Sequence, residues 1–234
     1  MAINVYWASS DINWLAQKTP DLVISKFYNN NVKTNDENVI RSNKCPAIFD
    51  ELQNTFNIYS IYDYEVTLAN NSVYSNQYDQ EFLKHYVEIR SFWHKLISYR
   101  QQLVFFTDED SLEATVSLFP YMEDNNITKR CKIIPGKLDV GKWFRLIDFA
   151  FFLKEGYDTF KVDKDEVMYY IKFHTKEKIN LKQFAFSDKL VNYSFACSNM
   201  ARYNVNSPLL KLENYYKMFK HKKLILREIK DNLL

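Results

Sequence analysis

The residues of this chain that could carry chemistry are four histidines, three cysteines, a few clusters of carboxylates and one aromatic–basic run. His85, His94, His174 and His221 show no HxH, HxxxH or HExxH spacing, so no two are set to share a metal ion from one helix or strand face. They read as structural or surface histidines. Asp108-Glu109-Asp110 and Asp163-Lys164-Asp165-Glu166 gather carboxylates, but each stands before a segment that needs a cap or a solvated rim. A hard-cation site is the alternative, although the glycine and spacing of an EF-hand are missing. Pro20-Asp21 with Glu228-x-Lys230 has the outline of a metal-dependent nuclease. Yet Glu228 and Lys230 lie two apart on an expected helix and point apart.

Nucleophilic and nucleotide chemistry fare no better. The chain has three glycines, Gly136, Gly141 and Gly156, and contains no GxxxxGK[ST], GxGxxG or GxSxG run. A phosphate-cradling loop is hard to build from so few. Cys45, Cys131 and Cys197 are odd in number, widely spaced and without a CxxC. Reduced, mostly buried thiols in a cytosolic setting fit this better than a disulfide framework or zinc site. Cys45 is flanked by Pro46 with no histidine nearby, which gives a nucleophile no base. No cofactor and no small-molecule substrate are called for.

Two basic features remain. Trp143, Phe144 and Arg145 stand beside Lys142 and Lys137. Trp143 is expected to anchor the core with Arg145 paired to an acid; the functional alternative is an interface hot spot, with a base-stacking surface as a third reading. Residues 208–234 hold seven basic and three acidic side chains, a net +4 against +2 for the whole chain, leaving −2 on the rest. Lys220, Lys222 and Lys223 are the densest part of that run. It is either a solvated helix face or, given its apolar stripe, a ligand for a partner groove.

The elements that must position these residues follow from periodicity. At 234 residues, 47% hydrophobic and 26% charged, the chain is expected to fold as one globular domain burying roughly 70% of its surface. Aromatics at 17% promise a thick core of rings. Residues 3–8, 22–27, 103–106 and 166–175 read as strands, and 56–68 as one or two. Asn-rich spots at 29–31, 70–71 and 125–126 stand where turns would otherwise use glycine. Residues 29–42 and 70–77 read as polar loops, and 122–129 as a charged turn. Pro46 with Ile48, Leu52 and Phe56 suggests a helix. Phe82, Tyr86, Ile89, Trp93 and Leu96 step by 4, 3, 4, 3, which favours a helix, although Val87 to Ile89 also alternate as a strand would. An amphipathic helix is expected over about 208–234. Residues 184–196 are ambiguous, and 198–206 read as a loop.

The organising stretch is 132–154. It holds Pro135, Trp143, two glycines and the densest apolar run, 146–153. Pro135-Gly136 predicts a type II turn, and 139–141 a second bend ahead of a buried element. The sum is an α+β fold, a single β-rich domain with a few helices. The N-terminal residues lack the basic and apolar regions of a signal peptide, and no run reaches 18 apolar residues; no membrane association is expected.

CPAIFDELQNTF (45–56), LVFFTDED (103–110), IPGKLDVGKWFR (134–145), YIKFHTKEKI (170–179) and ILREIKDNL (225–233) together resemble an uncharacterised protein family of large tailed, myovirus-type phages of marine bacteria. The resemblance spans most of the chain, and the IPGKLDVGKWFR core is its most specific part. It implies a viral protein in a bacterial host cytoplasm or in a virion and transfers no catalytic residue. The resulting expectation is a non-enzymatic phage protein working through protein–protein contacts, as a virion or assembly component or a modulator of a host complex. Its interface candidates are Trp143, Arg145, Lys142, Lys220, Lys222 and Lys223. A nucleic-acid-binding protein using the basic C-terminal helix is the alternative, and an enzyme whose scattered carboxylates are invisible in sequence is the third class.

Overall fold

A 12-residue strand, β7 (Leu96–Thr107), runs through the middle of the molecule and sorts its side chains to two sides. Successive strand residues point to opposite faces, and over residues 103–106 both faces are apolar. Leu103 and Phe105 enter one core, and Val104 and Phe106 enter another. A strand buried on both faces reads in sequence as an unbroken apolar run, which is what LVFF is.

The computed structural model describes residues 2–9, 24–26, 46, 50, 52–70, 72–117, 125–199 and 220–234. Among these, β7 pairs on one side with β11 (Ile147–Leu153), which pairs in turn with β9 (Cys131–Ile134). Its other side is shared. β6 (Val87–Ser91) takes the first half and β1 (Ala2–Ser9) the second, and β1 also pairs in parallel with β14 (Lys178–Gln183). A second sheet is antiparallel throughout, in the order β10 (Gly136–Asp139), β8 (Glu113–Ser117), β13 (Val167–Phe173), β3 (Thr55–Tyr59), β2 (Ile24–Lys26). A third holds β12 (Thr159–Val162), β4 (Tyr64–Ala69) and β5 (Ser72–Tyr74).

The first two sheets close over a core of rings. Phe105 meets Phe173 edge-on at 5.9 Å, and Phe149 lies 5.0 Å from Tyr169. The third sheet is joined to the first by Phe151–Phe160 at 4.6 Å and Tyr64–Tyr99 at 5.1 Å. A β-bulge in β13 at Met168 resets the alternation. Met168 and Tyr169 therefore both enter the sandwich, while Val167 and Tyr170 pack on the outer face with Leu52.

On the far face of the first sheet, Tyr6, Ala8, Val104 and Phe106 are covered by α3 (Asp188–Asn199) and α4 (Lys222–Asp231). Leu190 and Cys197 come from α3, Ile225 and Ile229 from α4. The fold is thus α+β and β-rich, with a C-terminal helix. Two shorter helices, α1 (Gln80–Tyr86) and α2 (Asn126–Arg130), serve as connections.

Several expectations are corrected. The helical stripe from Ile48 ends before Phe56, which lies in β3; Asn54, at φ 57, turns the chain between them. The helix from Asp79 stops at Tyr86 because Val87 and Ile89 carry the alternation of a strand, and residues 92–95 form the hairpin turn into β7. The 70–77 loop contains β5, entered through Asn70 at φ 50. The charged turn before the central segment contains α2, capped reciprocally by Asn125 and Thr128. The ambiguous 184–196 stretch becomes α3 from Asp188, so Ser198 and Asn199 are helical.

Pro135-Gly136 does not form a type II turn. Gly136 opens β10 without a positive φ, and Pro135 is the corner at which the chain leaves the first sheet for the second. Without an N–H, Pro135 ends the β9 ladder. The expected structure of residues 29–42, 200–206 and 208–219 lies outside the described residues; the C-terminal helix is described from Lys222.

Candidate interaction site

The bend expected at 139–141 is real, and a buried carboxylate builds it. Asp139 Oδ1 accepts hydrogen bonds from Leu112 N at 3.0 Å and Gly141 N at 2.9 Å, and Oδ2 accepts one from Ser111 Oγ at 2.7 Å, with Lys142 Nζ 3.0 Å from the same Oδ2. Burial alone would raise the Asp139 pKa. The bonds from Ser111, Leu112, Lys142 and Gly141 outweigh it and hold the group below the ordinary value. Gly141 has no room for a side chain, because a Cβ there would stand 2.6 Å from the Glu109 carbonyl oxygen. The turn and the acidic 108–110 loop are therefore in backbone contact.

The same loop receives the C-terminal helix. Lys222 Nζ donates to the Glu109 carbonyl, and Lys230 Nζ lies 3.9 Å from Asp108. Burial lowers the Lys222 pKa, opposed by Asp110, Asp139, Asp108 and Glu109. Of the residues expected to form an interface, Lys142 and Lys222 thus meet around one set of carboxylates, although 80 positions separate them. Lys220 and Lys223 stand exposed beside them at the start of α4.

Trp143, Phe144 and Arg145 divide the work differently from expectation. Phe144 is the core residue, fully buried, edge-on to Phe106 at 5.1 Å and stacked with Phe186 at 6.2 Å. Trp143 is only partly buried at the margin of that cluster, and the Arg145 guanidinium lies 4.8 Å from its ring centroid. Arg145 reaches towards Asp148 at 3.9 Å. Burial raises the Asp148 pKa despite Arg145, Arg100 and Arg90 around it. Arg100 and Arg90 also share Glu88, at 3.0 and 3.5 Å.

The helical layer carries apolar groups outward as well. Val191 and Phe195 are one turn apart on α3, Phe195 is 64% exposed, and Leu224 projects from α4. Sequence reading missed these because α3 was not recognised as a helix, and without the i, i+4 register the pair has no meaning.

The remaining candidates are dispersed. His85 lies on α1, His94 Nδ1 is 2.9 Å from Ser91 Oγ, His174 Nε2 is 2.6 Å from Thr115 Oγ1, and His221 stacks on Tyr193. Asp163 and Glu166 act as turn and helix caps: Glu166 accepts from Asp163 N at 2.7 Å and from Asn126 N. Glu228 is held by Ser187 at 2.9 Å and Lys189 at 3.3 Å, and Asp21 lies outside the described residues. Cys131 and Cys197 are buried thiols, and burial pushes Cys131 up to about 12; Cys45 lies outside the described residues. Among the described residues, no group of three or more His, Cys, Asp or Glu is placed to hold a metal ion, and no helix is long and apolar enough to cross a membrane. An open cleft of about 620 Å³ over the second sheet, with Lys172, His174 and Asp50 on its wall, has no paired carboxylates among the described residues. No known family profile, curated protein or solved structure matches this chain.

Proposed function

We propose that this chain is a non-enzymatic viral protein that works by protein–protein contact, as a virion or assembly component or as a modulator of a host complex. The observation that carries the reading is convergence. The 142–145 turn and the start of α4 come together at the helical layer, where Val191, Phe195 and Leu224 also project into solvent. Exposed apolar groups beside Trp and Arg are the composition of an interface core, and the lysines would form its rim. The viral setting rests on the sequence resemblance alone.

The C-terminal helix as a nucleic-acid ligand is the weaker reading. Lys222 and Lys230 already serve the 108–110 loop, so part of the charge is matched internally. Mass spectrometry of purified virions and affinity capture from infected cells test the proposal, each with a Phe195→Glu variant. A defined partner, or incorporation into particles, that is lost in the variant is the expected result. Absence from particles together with no captured partner, or capture indifferent to Phe195→Glu, would end it.

A further inference from the structure

The most exposed large ring among the described residues lies far from that layer. Trp93 is 93% exposed in the β6–β7 turn. Phe92 packs back on the core, His94 is held by Ser91, and Lys95, at φ 48, closes the turn with its N–H on the Phe92 carbonyl at 2.9 Å. Such a turn calls for Asn, Asp or Gly. Nothing in its geometry rewards a tryptophan, and both faces of the indole are open to a ligand.

The turn is fixed to its neighbours by a run of bonds. Leu153 N donates to the Lys95 carbonyl at 3.1 Å, Lys154 N to the Arg130 carbonyl at 2.8 Å, and Lys95 Nζ to the Tyr157 carbonyl at 3.0 Å. Arg130 in turn lies 5.7 Å from the Tyr157 ring centroid. This end of the molecule therefore gathers Trp93 and Tyr157 with five cations, Lys95, Lys129, Arg130, Lys132 and Lys154, against three carboxylates, Glu155, Asp158 and Glu166, the last of which is engaged by the N–H groups of Asn126 and Asp163. Asp158 is taken by Lys95.

We infer that this end binds single-stranded nucleic acid, with a base stacked on Trp93 and the phosphates following Lys154, Arg130 and Lys132. Stacking on an aromatic ring is open to any base, and a row of cations tracks the backbone without reading sequence. An anionic membrane would also be drawn to the charge. However, Phe92 faces inward and the Tyr157 ring is covered by the Arg130 guanidinium, which leaves Trp93 to insert, and a single shallow anchor holds a bilayer only marginally. The inference is independent of the interface proposed on the helical layer.

The test is fluorescence anisotropy of the full chain with a labelled mixed-sequence 15-mer of single-stranded DNA or RNA, at 50 and 200 mM salt. Three phosphate contacts predict a loss of roughly 20-fold over that range. Trp93→Ala should weaken binding about tenfold, and Lys132→Glu with Lys154→Glu should remove it at 200 mM salt. All three positions are exposed, so circular dichroism should show an unchanged fold. No binding at 50 mM salt overturns the inference, as does binding unchanged by Trp93→Ala or lost instead through Lys220→Glu and Lys223→Glu. Binding only to vesicles of one-third phosphatidylserine assigns the tip to a membrane and overturns it too. Partner capture that survives Trp93→Ala but fails with Phe195→Glu keeps the two readings apart.

Discussion

The two faces of the first sheet bury apolar rings by different means. Towards the second sheet, Phe105, Phe149 and Phe151 interlock with Tyr169, Phe173 and Phe160 in a continuous cluster drawn from three sheets. Towards the helices, Phe144, Phe106 and Phe184 form a smaller cluster whose cover is two helices, fastened at the edge by Lys222 and Lys230 on the acidic loop. One side is held by strand ladders whose partners lie far apart in sequence. The other is held by a lid with charged fastenings and exposed Phe195. A stable core and an adaptable surface are thus divided by one layer of β-strand.

That contrast can be broken first at Phe151. Phe151→Ala should cost about 3–5 kcal/mol, a large part of a domain's stability, and urea denaturation should show one early transition. Phe144→Ala should cost about 3 kcal/mol, and hydrogen exchange should localise the loss: amides of α3 and α4 exchange faster while those of β7 and β13 keep their protection. If both sets loosen together, the two faces are one cooperative unit and the division is wrong.

Asp139→Ala comes next, at about 2 kcal/mol, because it strands the buried N–H groups of Leu112 and Gly141. Its native pKa lies below the unfolded value of about 3.9. The stabilisation is therefore complete above about pH 4 and is lost as pH falls through the lower, folded pKa. The acid limb of a stability–pH curve should be shallower in the variant. Trp143→Ala should cost only about 1–2 kcal/mol, since its ring is partly exposed and its contact with Arg145 adds about 0.5–1 kcal/mol. Lys222→Ala should be smallest, under about 1 kcal/mol and vanishing at high salt. A larger cost there would mean that the fastening, rather than the apolar cluster, holds the lid.

How much of this was legible in sequence depends on how local the cause is. β1, β13 and the 103–106 part of β7 were readable, as was the burial of β11 though not its strand form, because alternation or an unbroken apolar run states burial directly. The bend at 139–141 was readable too, since Asp and Gly at that spacing have one use. Trp143 was expected in the core and Phe144 was not singled out. Both are large and apolar, and only the direction of the turn separates them. The 4-3-4-3 spacing from Phe82 fits a helix as a pattern, yet Tyr64, Tyr86 and Tyr99 come together only if Val87 turns the chain back as a strand. The convergence of Lys142 with Lys222 was invisible, because residues 80 apart meet through the tertiary fold. Exposed Trp93 was hidden for the same reason: in a helix it would have been core.

One pairing described above bears on how the chain is made. β1 lies between β7 and β14, with Ala2 to Trp7 opposite Lys178 to Gln183 and Phe184 N bonded to the Trp7 carbonyl at 3.0 Å. On a ribosome, Val5, Tyr6 and Trp7 emerge well before either neighbour, which exists only once about a hundred and then about 175 more residues have followed. The strand must wait with its apolar side chains unsheltered. At about 5–20 residues per second, that wait is roughly ten seconds or more. Pairings between such distant segments also fold slowly. A strand made long before both of its neighbours is thus secured only when the later one arrives.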